Sequence, residues 1–259
     1  RHTRFLPVSW ARDVYKRQFM HSPDSNFWLP LLAEQVVRQL PTCPDVIYSR
    51  SSPFSAALLA HKLKSLTGVP WLMHLSDPWS GSPYRPLSPR ATAKDQALEE
   101  RCFSAADAIT LTTKGQAEYY RARYPERREA IGVTSNMMPT FHRSGTAPDA
   151  RSKLRLVYTG ALYGKRNPST LIQALRFLYE IATPDEADQI RVEFYGNMPP
   201  GMAGEIASTP NCFVYGPIPF DTATLRQSEA DVLVTIEPSG DSPLYLHFMP
   251  SKNLDYASS

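Results

Sequence analysis

Two short segments, far apart in the chain, hold the residue types needed to grip a multiply charged anion. The first, Thr159-Gly-Ala-Leu-Tyr-Gly-Lys-Arg166, sets Gly160 ahead of two adjacent cations, Lys165 and Arg166, just before a helix start at Asn167-Pro168. A guanidinium binds phosphate oxygens through paired N–H bonds, and the free N–H groups of a helix start favour negative charge, so the loop suits a diphosphate. Adjacent cations before a helix are also common as solvated surface charges, and the local pattern alone does not separate the two readings. The second segment, Phe248-Met-Pro-Ser-Lys-Asn-Leu-Asp-Tyr256, opens a helix at Pro250 and Ser251, follows with Lys252, and places Asp255 one turn beyond Ser251 on the same face. A carboxylate there can accept hydrogen bonds from ribose hydroxyls. Taken alone, it reads first as an ordinary first-turn acid.

A third segment, His74-Leu-Ser-Asp-Pro-Trp79, gathers an imidazole, the Asp77 carboxylate and the Trp79 indole. An aromatic beside polar groups can stack on a sugar face or hold a lipid head, which makes Asp77 and Trp79 candidates for the acceptor side. The same residues fit an Asx-type turn with Trp79 packed in the core, and His74 is as readily structural as chemical.

The elements that must position these residues alternate short apolar runs with longer amphipathic stretches, the pattern of βαβ units in a parallel sheet. Asp45-Val-Ile-Tyr48 predicts a strand, and Ser52 and Pro53 a helix start continuing through Phe54, Leu58 and Leu66 to Gly68. Val69-Pro-Trp-Leu-Met73 predicts the next strand and delivers His74, Ser76, Asp77 and Trp79 into a loop. A helix from Ser88-Pro89, a strand at Ala108-Ile-Thr-Leu111, a helix around Gln116 to Arg123 and a strand ending near Val133 complete the first half. On the first of these helices Glu99 and Glu100, beside Arg101, read as a solvated ion-pair face, and Asp107 reads as the cap of a strand start.

Between Pro139 and Lys153 the chain turns polar and loses its apolar period. The rhythm restarts at Leu154-Arg-Leu-Val-Tyr158, with strands at Ile190 to Tyr195, Cys212 to Tyr215 and Asp231 to Ile236, and a helix from Asp221 to Ala230 before the last. The expected architecture is α/β, with two Rossmann-like doubly wound domains, both incomplete: a non-native tail at 1–18, a partial acceptor-side domain at 19–142, a linker at 143–153 and a partial donor-binding domain at 154–259. In open parallel sheets ligands bind beyond the carboxyl ends of strands. That rule points to Gly160, Gly196, Ile218 and Glu237 in the loops that follow the second set of strands, the glycines permitting close backbone approach to a ligand.

Composition narrows the classes. A formal charge of +3 over 259 residues, with basic residues scattered among acidic ones, does not imply nucleic acid. Three separated cysteines give neither a zinc spacing nor a disulfide framework, and none of the six histidines forms a helical metal pair. The cysteine pattern fits a reducing cytoplasm, and since no apolar run approaches the roughly 18 residues of a membrane span, a soluble chain is expected.

The run from Asp45 to Tyr256 resembles retaining glycosyltransferases of the GT-B fold, the family-four group that builds bacterial surface polysaccharides. The resemblance rests on Val157-Tyr-Thr-Gly-Ala-Leu-Tyr-Gly-Lys-Arg-Asn-Pro168, on Ala105-Ala-Asp-Ala-Ile-Thr110 and on Pro250-Ser-Lys-x-x-Asp-Tyr256. It implies that Lys165 and Arg166 grip the diphosphate of a nucleotide-sugar donor, that Ser251, Lys252 and Asp255 form the helix-start loop with its acid, and that His74 lies near the reacting sugar. It further implies a saccharide or lipid-linked acceptor, peripheral contact with the inner membrane surface, and no resident cofactor or metal. The pattern departs at His247, where relatives carry the first of two glutamates, with Glu237 the candidate substitute. Asp stands for Glu at position 255, and Asn253 occupies a position usually apolar. Two other readings share these features, a nucleotide-sugar epimerase and a non-catalytic nucleotide-sugar binder. Missing segments at both ends lead to the expectation that the fragment alone is inactive.

Overall fold

The computed structural model describes residues 22–85, 87–137, 153–163, 165–238 and 250–258. They divide into two compact units, the first ending at Ser135 and the second beginning at Asn136. The expected tail at 1–18 and, apart from Lys153, the expected linker at 143–153 lie outside the described residues, as does His247.

The first unit is a parallel sheet of β1 (Ile47–Ser51), β2 (Trp71–Leu75), β3 (Ala108–Leu111) and β4 (Ile131–Val133), in that spatial order. Its helices are α1 (Ala33–Gln39), α2 (Ser55–Thr67), α3 (Pro89–Ala105) and α4 (Lys114–Arg123). Each βαβ step is a parallel crossover, so every strand points its carboxyl end to the same edge. Trp71, Met73, Leu75, Ile109 and Leu111 fill the core between sheet and helices.

Local chemistry explains most boundaries. Gly68 ends α2 in the left-handed region at φ 72°, and its N–H reaches the Lys64 carbonyl at 2.8 Å. Ser88 accepts from Ala91 N–H at the start of α3, with Pro89 as the first helical residue, and Thr113 does the same for Gln116 in α4. The start of α2 corrects the sequence reading. The helix begins at Ser55, not Pro53, because its cap comes from outside: the Asp24 carboxylate accepts from Ser55 N–H at 2.9 Å and Ser55 Oγ at 2.8 Å.

A second correction concerns Glu99, expected on a solvated face. It is fully buried and gathers Ser80 N–H (2.7 Å), Ser80 Oγ (2.9 Å), Tyr124 Oη (2.8 Å) and Tyr120 Oη (3.1 Å), with the Arg123 guanidinium 3.4 Å away. Burial pushes its carboxyl up, and Arg123 is the largest opposing influence. One turn earlier Asp95, also buried, pairs with Arg85 at 2.8 Å. The two acids fasten the segment after β2 to α3. Asp107 holds Lys64 and the N–H of Trp71, the first residue of β2, as its reading as a strand cap anticipates.

The second unit holds β5 (Leu154–Thr159), β6 (Ile190–Tyr195), β7 (Cys212–Gly216) and β8 (Val232–Leu233), again parallel, in the order β7-β6-β5-β8. The chain winds outward from β5 to β7 and then returns to the far side of β5. This reversal puts a topological switch point between the carboxyl ends of β5 and β8. Helices α5 (Ser169–Ile181), α6 (Pro184–Asp188), α7 (Pro200–Ala207), α8 (Phe220–Ser228) and α9 (Ser251–Ser258) complete the unit. The strand expected over Asp231 to Ile236 shortens to two residues, and just before it the Asp231 carboxylate accepts from Arg155 N–H at 2.8 Å. The sequence reading did not anticipate α6 and α7; Thr183 and Glu186 form a capping box at the first. Among the described residues no helix is long and apolar enough to cross a membrane.

Glu99→Ala leaves four donors and a guanidinium without their acceptor. It should destabilise the protein by about 3–5 kcal/mol, by analogy with other broken buried pairs. For a chain of this size that corresponds to a Tm lower by roughly 6–20 °C in a thermal melt. A melt within experimental error of the parent would show that the buried carboxylate stabilises nothing.

Candidate functional site

The switch point of the second unit is where the two candidate segments meet. Arg166, on the loop after β5, donates from Nη2 to Glu237 Oε2 at 2.8 Å, and Lys252 Nζ, in the first turn of α9, lies 3.7 Å from Oε1 of the same carboxylate. Both cations are largely covered, with side chains 13% exposed, whereas Glu237 is 30% exposed and faces water.

Aromatic rings hold the cations in place. The Arg166 guanidinium lies over the Tyr163 ring, 5.2 Å from its centroid, and Lys252 Nζ sits 4.4 Å above Tyr158 while donating to the Tyr158 hydroxyl at 3.2 Å. Four residues after Lys252, the Tyr256 hydroxyl accepts from Thr159 N–H at 2.8 Å, at the last residue of β5. Gln227 of α8 donates to Thr159 Oγ1 at 2.8 Å and secures the same corner. Positions i and i+4 share a helix face, so pinning Tyr256 to β5 aims Lys252 at the crevice.

Burial drives the Lys252 ammonium down to about 8; Glu237 opposes that shift and Arg166 adds to it. Its proton is therefore easily lost compared with that of a free lysine, and an anion in the crevice would secure it.

The remaining candidates of this unit take varied places. Lys165 is exposed beside Arg166, Ile218 is half-buried after β7, and Ser251 is the first residue of α9. Asp255 is half-buried in α9, and burial raises its carboxyl. Asn253, at the position expected to be apolar, accepts from Thr235 Oγ1 at 3.0 Å and joins α9 to the segment after β8. Gly160 adopts φ 134°, which L side chains rarely take.

At Gly196 glycine is required by packing: a Cβ there would stand 2.0 Å from the Gly160 carbonyl oxygen. The close approach is between the two loops themselves.

Two candidates in the first unit are corrected. His74 is a strand residue of β2, not a loop residue; it is buried, with Nδ1 2.9 Å from Thr110 Oγ1 on β3. Burial and the nearby Arg50 keep its imidazole below the usual range. Trp79 is wholly buried, stacked on Phe54 at 5.1 Å, with its backbone N–H donating to the Tyr120 hydroxyl, so it presents no ring face to an acceptor. Asp77 lies beside it, at the carboxyl edge of the first sheet. There Arg50 donates to Ser76 Oγ at 3.2 Å and Thr112 to the Ser76 carbonyl at 2.8 Å. Sequence reasoning did not single out Arg50 or Thr112, because single polar residues at strand ends carry no spacing signal.

Comparison with known proteins places the chain in a family through its first unit. The glycosyl transferase 4-like domain matches residues 5–136, about half of the chain. The chain belongs to the glycosyl transferase 4-like family. No curated protein matched it.

Among solved structures, this glycosyl transferase 4-like chain is similar to trehalose-6-phosphate synthase studied for glycosyl transfer with retention (TM-score 0.62, 12% identity, 98% of this chain and 62% of that one). It is also similar to an E. coli trehalose-6-phosphate structure bound with UDP-2-fluoro glucose (TM-score 0.59, 12% identity, 89% and 59%). A third is the lipopolysaccharide outer core galactosyltransferase WaaB in its apo form (TM-score 0.51, 16% identity, 96% and 60%). The chain thus spans about three-fifths of these structures' lengths. At such identities the likeness establishes the fold, which is GT-B, with its two Rossmann-like units.

Two expectations follow for this glycosyl transferase 4-like protein. An NMR titration of Lys252 should show a midpoint near 8; Glu237→Gln should lower it, because the carboxylate holds the proton on, and Arg166→Ala should raise it. A midpoint at the free-lysine value would mean that Lys252 faces water. Gly196→Ala should unfold the second unit or shift both loops, seen as lost protection of the Gly160 and Gly196 amides in hydrogen exchange, because a side chain cannot overlap backbone.

Proposed function

We propose that the protein is a glycosyltransferase that moves a sugar from a nucleotide-diphosphate donor to a saccharide or lipid-linked acceptor, with retention at the anomeric carbon. The observation that carries the donor half is the convergence of Arg166 and Lys252 on one carboxylate at the switch point between β5 and β8. Covered cations at that place suit a diphosphate, and the fold neighbour bound with UDP-2-fluoro glucose supports a nucleotide sugar as its source.

As the bond between sugar and diphosphate breaks, positive charge develops on the sugar ring and negative charge on the departing phosphate. Arg166 and Lys252, already oriented by Tyr163 and Tyr158, stabilise that negative charge without reorganising as it forms. Lys165 adds a third cation at the rim, Ile218 lies on the base side, and Asp255 accepts from the ribose. Retention, the acceptor class, a role in surface-polysaccharide assembly and work at the cytoplasmic membrane face rest on the motif resemblance, and belong to the proposal on that ground.

Arg166→Ala should weaken UDP binding about 10- to 100-fold, the effect of removing a charge-assisted hydrogen bond of about 1.5–3 kcal/mol. Circular dichroism should stay unchanged, and sugar transfer should fall at least as far. Full UDP affinity and turnover in this variant would remove the basis for the assignment, and UDP binding without sugar release in the parent would favour a non-catalytic binder.

A further inference from the structure

Glu237 is the anion that both covered cations already face. Its bond to Arg166, at 2.8 Å, is a charge-assisted hydrogen bond; its approach to Lys252, at 3.7 Å, is an ion pair too long to be one. The hydrogen bond of Lys252 goes instead to the Tyr158 hydroxyl. One carboxylate thus meets the guanidinium fully and the ammonium in part.

The covering of these groups is uneven, since the cations are inside and the carboxylate is the member open to water. An arriving anion therefore meets Glu237 first and must turn it off the cations or share them with it. Like charges brought to contact distance repel, and repulsion of this kind separates ligands that attraction alone would accept. A single phosphate group offers the crevice little more reach than the carboxylate it would replace. Two linked phosphoryl groups can engage Arg166 and Lys252 together, including the contact that Glu237 leaves incomplete.

We infer that Glu237 is a specificity-determining residue: as an internal anion lying across Arg166 and Lys252, it makes the crevice select nucleoside diphosphates over nucleoside monophosphates. This role rests on the donor-binding reading of the site and adds to it a reason why a nucleoside monophosphate is a poor competitor for the diphosphate. Tyr158 and Tyr163 keep the cations in place while the carboxylate moves, so the exchange needs no rearrangement of β5 or α9.

Isothermal titration of the protein with UDP and UMP, and with pyrophosphate and orthophosphate, tests the role in a way that does not depend on the base. Glu237→Gln keeps the shape of the side chain and removes its charge. It should tighten UMP and orthophosphate about tenfold while UDP and pyrophosphate change less than about threefold, so the preference for two phosphates shrinks. Should that variant fail to fold, Glu237→Asp, which draws the carboxylate back from Lys252, should reduce the preference part of the way.

An unchanged or larger preference would overturn the role, and so would loss of UDP binding in Glu237→Gln, which would make Glu237 a direct ligand contact. The two readings fail separately. If the parent binds neither UDP nor pyrophosphate, the donor-binding reading falls and takes the role of Glu237 with it. If the parent binds both, Arg166→Ala loses them and Glu237→Gln leaves the preference intact, only the selectivity role is wrong.

Discussion

The hydrogen bond from Thr159 N–H to the Tyr256 hydroxyl joins residues 97 positions apart and sets the geometry of the candidate site. Thr159 closes β5, and the loop that it starts carries Arg166; Tyr256 sits one turn after Lys252 in α9. A helix of eight residues has little intrinsic stability in water, so its position must come from tertiary anchors. Tyr256 on Thr159, Asn253 on Thr235 and Lys252 on Tyr158 are three such anchors, all on the switch-point side of the sheet. The order β7-β6-β5-β8 makes the crevice, and these contacts decide which side chains line it.

The acids buried in α3 and the cations of the candidate crevice are held in opposite ways, although the second unit has a saturated buried acid of its own in Glu193, which accepts from Arg155, Arg191 and Tyr195. In α3, Asp95 and Glu99 are fully buried acids whose hydrogen-bonding capacity is taken up by serine, tyrosine and arginine of the same unit. Such saturated carboxylates fix structure, here the segment after β2, and have little capacity left for a ligand. At the crevice, the covered groups at the strand ends are cations resting on aromatic rings, and their anionic partner is the exposed member. A ring face attracts a cation without neutralising it. The second arrangement leaves charge that a ligand can use.

Much of this was legible in the sequence. The alternation of apolar runs gave eight strands within a few residues, because a parallel sheet buried on both faces demands continuous β-branched and aromatic segments. Lys252, Arg166 and Glu237 were recognisable as candidates from their places after predicted strands or at a helix start. Their convergence was not, since it depends on strand order, and a parallel sheet can be wound in several orders with the same local pattern. His74 and Trp79 went astray because β2 runs two residues further than its proline-led start suggested, carrying the histidine into the ladder and the indole into the core.

Glu99 shows how such a misreading could have been avoided. In α3 the buried positions are Asp95, Glu99, Cys102 and Phe103, a spacing of four, three and one that marks a single helical stripe. Read by residue type, the acids look solvated; read by position, they fall on the face that Cys102 and Phe103 commit to the core. A carboxylate on that stripe can persist only if donors meet it there. Tyr120 and Tyr124, themselves one turn apart on and just after α4, place two hydroxyls where Glu99 needs them. Periodicity therefore outranks polarity at such positions, and an acid in phase with the core stripe is evidence for a buried polar network, whose donors can be sought one turn apart on a neighbouring helix.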